Sequence, residues 1–326
     1  MKTKKILLIS TGGTIGMAGS FRDRAGAKPV LDGKELMKML PPFKKKISVD
    51  IHEFGNFPSP HITLEHAMKI RELILSKQDI YDGFVITHGT DTLEETAYFL
   101  DLTIKKKRPV VMTAAMRSSN ELGLDGPRNL YSAIKVAANN EAYKYKVMVV
   151  VNDEIFDAKT VKKTDTSNIS SFSSLDMGIL GVVDEDRIIF YRQRHFYEFY
   201  DIRKIIEDIY LVKLYMGADS VFIDACVKKG ASGIVIEALG RGNVPPACLP
   251  GIEKALKKGM PVLIVSRAFQ GRVLDVYGYK GGGRNLKEMG CIFGGSLSGP
   301  KARIKLAVLL SNGVQPSALA GYFRND

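Results

Sequence analysis

No tryptophan occurs in the chain, cysteine occurs only at Cys226, Cys248 and Cys291, and no apolar run approaches the roughly 18 residues that a membrane-spanning helix needs. An odd number of cysteines, widely separated, excludes a disulfide framework and gives no paired spacing for zinc. It points to a reducing compartment, hence a cytoplasmic protein. The five histidines, His52, His61, His66, His88 and His195, show no His-Glu-x-x-His spacing. No metal is therefore expected, and His88 reads as a structural residue of its turn. After Met1-Lys2-Thr3-Lys4-Lys5 the apolar run ends at Ile9, too short for the core of an export signal.

What the chain does have is length, ordinary globular composition and excess positive charge. Its 326 residues exceed what one hydrophobic core usually supports, so two domains are expected. The formal net charge is +12, which bears on nucleic-acid binding or on solvated helix surfaces. The lysines fall in small clusters (Lys44 to Lys46, Lys105 to Lys107, Lys257-Lys258) with no aromatic-rich basic segment among them. That distribution favours solvation, and neither a nucleic acid nor a membrane is expected as partner.

Short apolar runs alternate with helical patterns, the signature of a parallel sheet covered by helices. Strands are expected at Ile6–Ile9, Gly83–Thr87, Pro109–Thr113 and Val147–Val151. Leu93, Ala97, Leu100 and Ile104 recur at helical spacing, predicting a helix from about Asp91 to Lys106. Another is expected from Gly126 to about Asn139. The polar, aromatic passage from Tyr191 to Asp208 interrupts this rhythm, which resumes at Ile209–Leu214, with strands at Gly233–Glu237 and Val262–Val265 and a basic helix at Lys301–Leu310. The expected fold class is α/β: a large doubly wound N-terminal domain (1–190), a linker (191–208) and a smaller C-terminal α/β domain (209–326).

In open α/β sheets ligands bind beyond the carboxyl ends of strands, so the turns after Ile9 and Thr87 are the first candidates. The first reads Ser10-Thr11-Gly12-Gly13-Thr14-Ile15-Gly16-Met17. Two glycines let the backbone approach a ligand, and Thr14 offers a hydroxyl beside N–H groups, the arrangement acyl transfer needs. Thr14 stands where a dinucleotide fingerprint needs its second glycine, so no nucleotide cofactor is expected. The second turn reads Thr87-His88-Gly89-Thr90-Asp91-Thr92-Leu93-Glu94-Glu95. Thr92 and Glu95 have capping-box spacing, placing Thr90 and Asp91 at a helix N-terminus suited to an anionic group. A third segment, Val161-Lys162-Lys163-Thr164-Asp165, holds a lysine that could orient or deprotonate a threonine if the fold brought it beside Thr90 and Asp91.

Thr-Gly-Gly-Thr-Ile after the first strand and His-Gly-Thr-Asp-Thr-Leu-Glu-Glu-Thr-Ala after a later one resemble the two signatures of the bacterial-type L-asparaginases. The likeness continues through Ala115-Met116-Arg117, Asp125 to Leu130, Lys163-Thr164, Gly240 to Pro245 and Lys301-Ala302-Arg303, and so spans nearly the whole chain. The Thr-Gly-Gly-Thr-Ile-Gly-Met form is more similar to the cytoplasmic type I branch than to the exported type II branch. The resemblance implies an asparaginase-like fold, no cofactor, and a homodimer or homotetramer. It also implies Thr14 as the nucleophile of an acyl-enzyme and Thr90, Asp91 and Lys163 as the second catalytic triad, releasing ammonia and then aspartate. Asn56, Gly89, Thr90 and Asp91 are the substrate-binding candidates.

Two departures from the family pattern bear on the substrate. The lid normally carries a tyrosine, in a form like Gly-Tyr-x-Pro-Val, where this chain has Gly26-Ala27-Lys28-Pro29-Val30. The segment that normally reads like Asp-Ser-Ser is here Phe54-Gly55-Asn56-Phe57-Pro58-Ser59-Pro60, read as leaving Asn56 without a matching serine hydroxyl. Near the end, Gly281-Gly282-Gly283-Arg284-Asn285 stands where type II enzymes place an acidic partner for the lid tyrosine. The Thr90–Asp91–Lys163 set or another lid group, Asp23, would then activate Thr14. The leading expectation is an amidohydrolase acting on asparagine. The alternatives are an amidase of the same fold acting on glutamine, a D-amino acid or another amide, and a non-catalytic ligand-binding protein.

Overall fold

The apolar run Ile6–Ile9 forms the centre of β1 (Lys4–Gly12) and is buried throughout, as expected of a strand inside a parallel sheet. The structure, a computed structural model, describes residues 3–19, 28–43, 46–185, 187–324 and 326. It divides by packing into two units, Met1–Phe199 and Tyr200–Asp326.

In the first unit β1 is followed by the short antiparallel pair β2 (Met17–Ala18) and β3 (Lys28–Pro29), then α1 (Gly33–Lys38) and β4 (Ile47–Phe57). Next come α2 (Leu64–Lys77), β5 (Gly83–Thr87), α3 (Leu93–Thr103), β6 (Val110–Thr113), α4 (Gly126–Ala137) and β7 (Val147–Val151). Strands β4, β1, β5, β6 and β7 lie side by side and parallel in that order. The chain therefore leaves β1 toward one edge, returns, and continues toward the other. The direction reverses between β1 and β5, which is where doubly wound sheets open their ligand crevice.

The sheet does not stop at β7. It continues through β8 (Glu154–Asp157) and, after the small pair β9 (Lys162–Lys163) and β10 (Phe172–Ser173), through β11 (Gly181–Asp184) and β12 (Arg187–Phe190). The sheet is thus mixed, with antiparallel β8, β11 and β12 at one edge. Residues 152–158, read from sequence as a loop, are a correction: Asn152 and Asp153 have φ of 51° and 58° and turn β7 directly back into β8. Two consecutive positive φ values are the requirement of a tight hairpin, and Asn and Asp tolerate them best after glycine.

The second unit is a four-stranded parallel sheet in chain order: β13 (Ile209–Lys213), β14 (Gly233–Ala238), β15 (Val262–Ser266) and β16 (Ile292–Phe293). Helices α5 (Val221–Lys229), α6 (Leu249–Lys257) and α7 (Gly283–Glu288) contribute Ile223, Ile252 and Leu286 to a core with Ile234, Ile236 and Ile264. Helix α8 (Gly299–Ser311) is basic in sequence yet buries Lys301 and Lys305, and Lys305 Nζ meets Asp326 Oδ2 at 2.6 Å. A short α9 (Leu319–Tyr322) follows. The lysines at 105–107 and 257–258 are exposed at the ends of α3 and α6. No helix among the described residues is long and apolar enough to cross a membrane.

Residues 191–199 group with the first unit. Arg194 fixes them there, its Nη1 donating to Asp157 Oδ1 at 2.7 Å and its Nη2 to Asp101 Oδ2 at 2.5 Å, with the Tyr197 ring 4.0 Å from the guanidinium carbon. Lys146 Nζ adds bonds to the Glu198 carbonyl at 2.6 Å and to that of Asp101.

Candidate active site

The turns after β1 and β5 meet at the reversal point of the large sheet. Gly12 and Gly13 have φ of 97° and 86°, in the region that favours glycine. A Cβ on Gly13 would lie 2.4 Å from Gly89 N, so the backbones of the two turns touch and neither residue has room to grow. Thr11 Oγ1 donates to the Thr87 carbonyl at 2.7 Å, and Gly13 N donates to the Phe57 carbonyl at 3.0 Å. These bonds tie β1, β4 and β5 together at their carboxyl ends. Half-buried Thr14 opens a one-turn helix, Thr14–Gly16, directly after the contact.

His88 locks the second turn from beneath. It is fully buried; its Nδ1 lies 2.8 Å from the Gly89 carbonyl and its Nε2 3.1 Å from Thr96 Oγ1. A carbonyl only accepts, so Nδ1 carries the proton and Nε2 accepts from the threonine. Burial pushes its pKa down from 6.5 to about 4, so the ring stays neutral near neutral pH. Its place in the fold agrees with the structural reading made from sequence.

Lys163 lies on β9 rather than in a solvated loop, and Phe172 of β10 pairs with it. Its Nζ donates to Thr90 Oγ1 at 2.8 Å and to Asp91 Oδ1 at 2.6 Å. The lysine side chain is 17% exposed and that of Asp91 58%. One ammonium thus bridges a buried hydroxyl and an open carboxylate.

Ser59 is a residue that the sequence reading missed. It is buried against Gly89, where a Cβ would fall 2.6 Å from the Ser59 Cβ. Its Oγ accepts from Asp91 N at 3.2 Å and lies 3.4 Å from Asp91 Oδ2. The Ser59 hydroxyl thus stands beside Asp91, three residues beyond Asn56, although the place matching the family's serine was read as lacking one. Asn56 itself is exposed, with Oδ1 2.7 Å from where a Cβ on Gly12 would stand. A second correction concerns Thr92. It is the N-cap residue of α3, but its hydroxyl makes no capping bond and instead donates to the Ser59 carbonyl at 2.8 Å. The backbone acceptor brought alongside by the fold outcompetes the local cap.

Arg22, Asp23, Arg24, Gly26 and Ala27, singled out in the lid segment, lie outside the described residues. Gly281 to Asn285 lead into α7, where Asn285 Oδ1 accepts from Gly281 N at 3.0 Å. Asp125 organises the neighbouring strand end by accepting from Met116 N and Arg117 N, each at 3.0 Å. Among the described residues, no three His, Cys, Asp or Glu side chains cluster at metal-binding spacing.

A family model described as "Asparaginase, N-terminal" matches residues 5–196, and one described as "Glutaminase/Asparaginase C-terminal domain" matches residues 208–323. The chain is 38% identical to an L-asparaginase of Bacillus licheniformis over 95% of its own length and 96% of that protein. It is 32% identical to a probable periplasmic L-asparaginase of Haemophilus influenzae, covering 98% and 92%. Among solved structures, a probable cytoplasmic L-asparaginase from Campylobacter jejuni matches with a TM-score of 0.88 and 32% identity over 98% of this chain and 99% of that one. Fold and relatives together make the chain a two-domain α/β amidohydrolase. The chain belongs to the asparaginase family.

Proposed function

We propose that the protein is an L-asparaginase that hydrolyses L-asparagine to L-aspartate and ammonia through an acyl-enzyme on Thr14. The observation that carries this reading is the bridge from Lys163 Nζ to Thr90 Oγ1 and Asp91 Oδ1, at the crevice where the Thr14 turn touches the Gly89 turn. Thr14 Oγ attacks the side-chain amide carbon, and the amide nitrogen leaves as ammonia with the hydroxyl proton. The Thr90 hydroxyl, oriented by the Lys163 ammonium, takes a proton from the water that cleaves the ester as it passes its own to the departing Thr14 oxygen, so the proton count closes without a free alkoxide. Asp91 keeps an open carboxylate for the substrate ammonium, and the Ser59 hydroxyl beside it and Asn56 offer bonds to the α-carboxylate end. Gly89 supplies the close backbone approach.

The same reading takes the protein to be a cytoplasmic homodimer or homotetramer, with no bound metal or cofactor, divided into a catalytic domain (1–190), a connector (191–208) and a smaller domain (209–326). Its three free thiols suit a reducing compartment. Light scattering on the purified chain gives the copy number.

The test is ammonia release from L-asparagine, D-asparagine, L-glutamine and a simple amide, with chelator present. Native protein should turn over L-asparagine fastest, Thr14→Ala should abolish turnover, and Asp23→Ala should leave most of it. Faster turnover of another amide would replace asparagine as substrate. No turnover of any amide would sink the catalytic reading in favour of a ligand-binding protein.

A further inference from the structure

We infer that Asn120, with Ser118 beside it, is a positioning residue that fixes the backbone behind Thr14; this rests on the reading of Thr14 as the nucleophile. Upstream, the Thr14 turn is held by Gly13, which has no room beside the Gly89 backbone and donates to the Phe57 carbonyl. Downstream the hold is relayed. Met17 N donates to the Thr14 carbonyl, and the Met17 carbonyl in turn accepts from Ser119 N at 2.8 Å. Two residues further on, Gly19 is gripped at both ends of its backbone: its N–H donates to Asn120 Oδ1 at 3.0 Å, and its carbonyl accepts from Ser118 Oγ at 2.7 Å. The loop after β6 thus holds three backbone groups of the strand that leaves the nucleophile's turn.

The two side chains are not equal. The Ser118 hydroxyl has one proton, and its Oγ also lies 2.6 Å from Glu121 Oε1 and 3.3 Å from Asn120 Oδ1, so its bond to Gly19 is shared. Asn120 Oδ1, an acceptor with two lone pairs, holds the Gly19 N–H without that competition. The loop that carries both is itself braced. Asp125 takes Met116 N and Arg117 N, Asn129 Nδ2 donates to Asp125 Oδ2 at 3.1 Å and to the Ala114 carbonyl at 2.9 Å, and Arg117 Nη1 donates to the Gly123 carbonyl at 2.7 Å. A braced loop passes its position to the strand it grips. Asn120 is exposed, so replacing it leaves the core untouched. The residues assigned to the substrate's α-groups, Asp91, Ser59 and Asn56, lie on other turns. Loosening this strand should therefore misplace the attacking oxygen, which costs rate, and spare affinity.

The experiment compares the native full chain with Asn120→Leu, which keeps the size and loses the acceptor, and Asn120→Asp, which keeps the oxygen. Asn120→Leu should lower kcat/KM for L-asparagine about ten-fold. The inhibition constant of L-aspartate, which fills the pocket without reacting, and the melting temperature should both stay near native. Asn120→Asp should restore most of the rate. Hydrogen exchange read by mass spectrometry should show the amides of residues 17–19 exchanging faster in Asn120→Leu than in the other two proteins. Native kcat/KM in Asn120→Leu would overturn the proposal, because Ile15, buried beside Gly126, would then hold Thr14 unaided. A parallel loss of L-aspartate binding, or no recovery in Asn120→Asp, would overturn it in favour of a general disturbance of the pocket. If the native protein turned over no amide, the reading of Thr14 as nucleophile would fall separately, and the exchange rates would still decide the clamp: unchanged exchange in Asn120→Leu overturns it whatever the activity.

Discussion

Two charged clusters in the first unit are built alike and placed differently. In each, one cation is held between two oxygen acceptors: Lys163 between Thr90 and Asp91, and Arg194 between Asp101 and Asp157. The Arg194 cluster is closed, with its guanidinium 14% and both carboxylates 3% exposed. The Lys163 cluster leaves Asp91 open to solvent. An exposed ion pair adds little to stability, whereas removing one partner of a buried pair strands the other in low dielectric. The first arrangement therefore makes sense as chemistry and the second as a rivet between α3, β8 and residues 191–199.

Substitutions should separate the two. Lys163→Met should lower kcat for amide hydrolysis by about a thousand-fold, the scale of a lost acid–base group, while thermal melting moves little. A large fall in melting temperature with activity retained would reverse the assignment. Arg194→Met should do the opposite, lowering stability by about 3–5 kcal/mol in chemical denaturation while leaving the activity of the folded fraction near native. Burial already raises the Asp157 carboxyl above its usual range, and losing the guanidinium would raise it further. A raised carboxylate pKa means the folded state holds protons that the unfolded state releases. The deficit should therefore be smallest at low pH and grow as pH rises through the folded pKa.

His88 gives a third, smaller effect that belongs to neither cluster. Its pKa is depressed from 6.5 to about 4, so between those values the unfolded chain takes up a proton that the folded chain refuses. Stability should be unaffected above pH 6.5 and fall by about 3 kcal/mol as pH drops toward 4. His88→Gln should flatten that part of the denaturation profile, and an unchanged slope would remove His88 as its source. Smallest of all, Thr92→Val strips one bond from the Ser59 carbonyl. It should cost about 1 kcal/mol in denaturant titrations.

The open cluster was more legible in the sequence than the closed one, for physical reasons. Thr14, Thr90 and Asp91 follow apolar runs that had to be central strands, and β5 and β7 have the predicted limits because each run is wholly buried. The contact of Lys163 with Thr90 spans 73 residues, and local sequence offered only the residue type. Ser59 was missed because a serine between two prolines carries no signal until the fold turns it under Asp91. Strand β4 alternates Ile47, Val49 and Ile51 with polar residues, a period-two pattern that was there to be read. Strand β8 was harder, since the polar tip Asn152-Asp153-Glu154 resembles a loop, and only the positive φ values reveal the hairpin. Arg194 sits in a polar stretch that looks like a solvated connector, and its burial depends on carboxylates far away in the chain.

The contact between Gly13 and Gly89 sets the terms for redesigning the pocket. Because the Gly89 backbone stands where a side chain on Gly13 would grow, and Ser59 where one on Gly89 would, a library randomised at these positions forces the turns apart, whatever substrate is offered for selection. Productive diversity lies instead at Asn56 and Pro60, whose side chains are exposed. The crevice is in effect half template and half variable region.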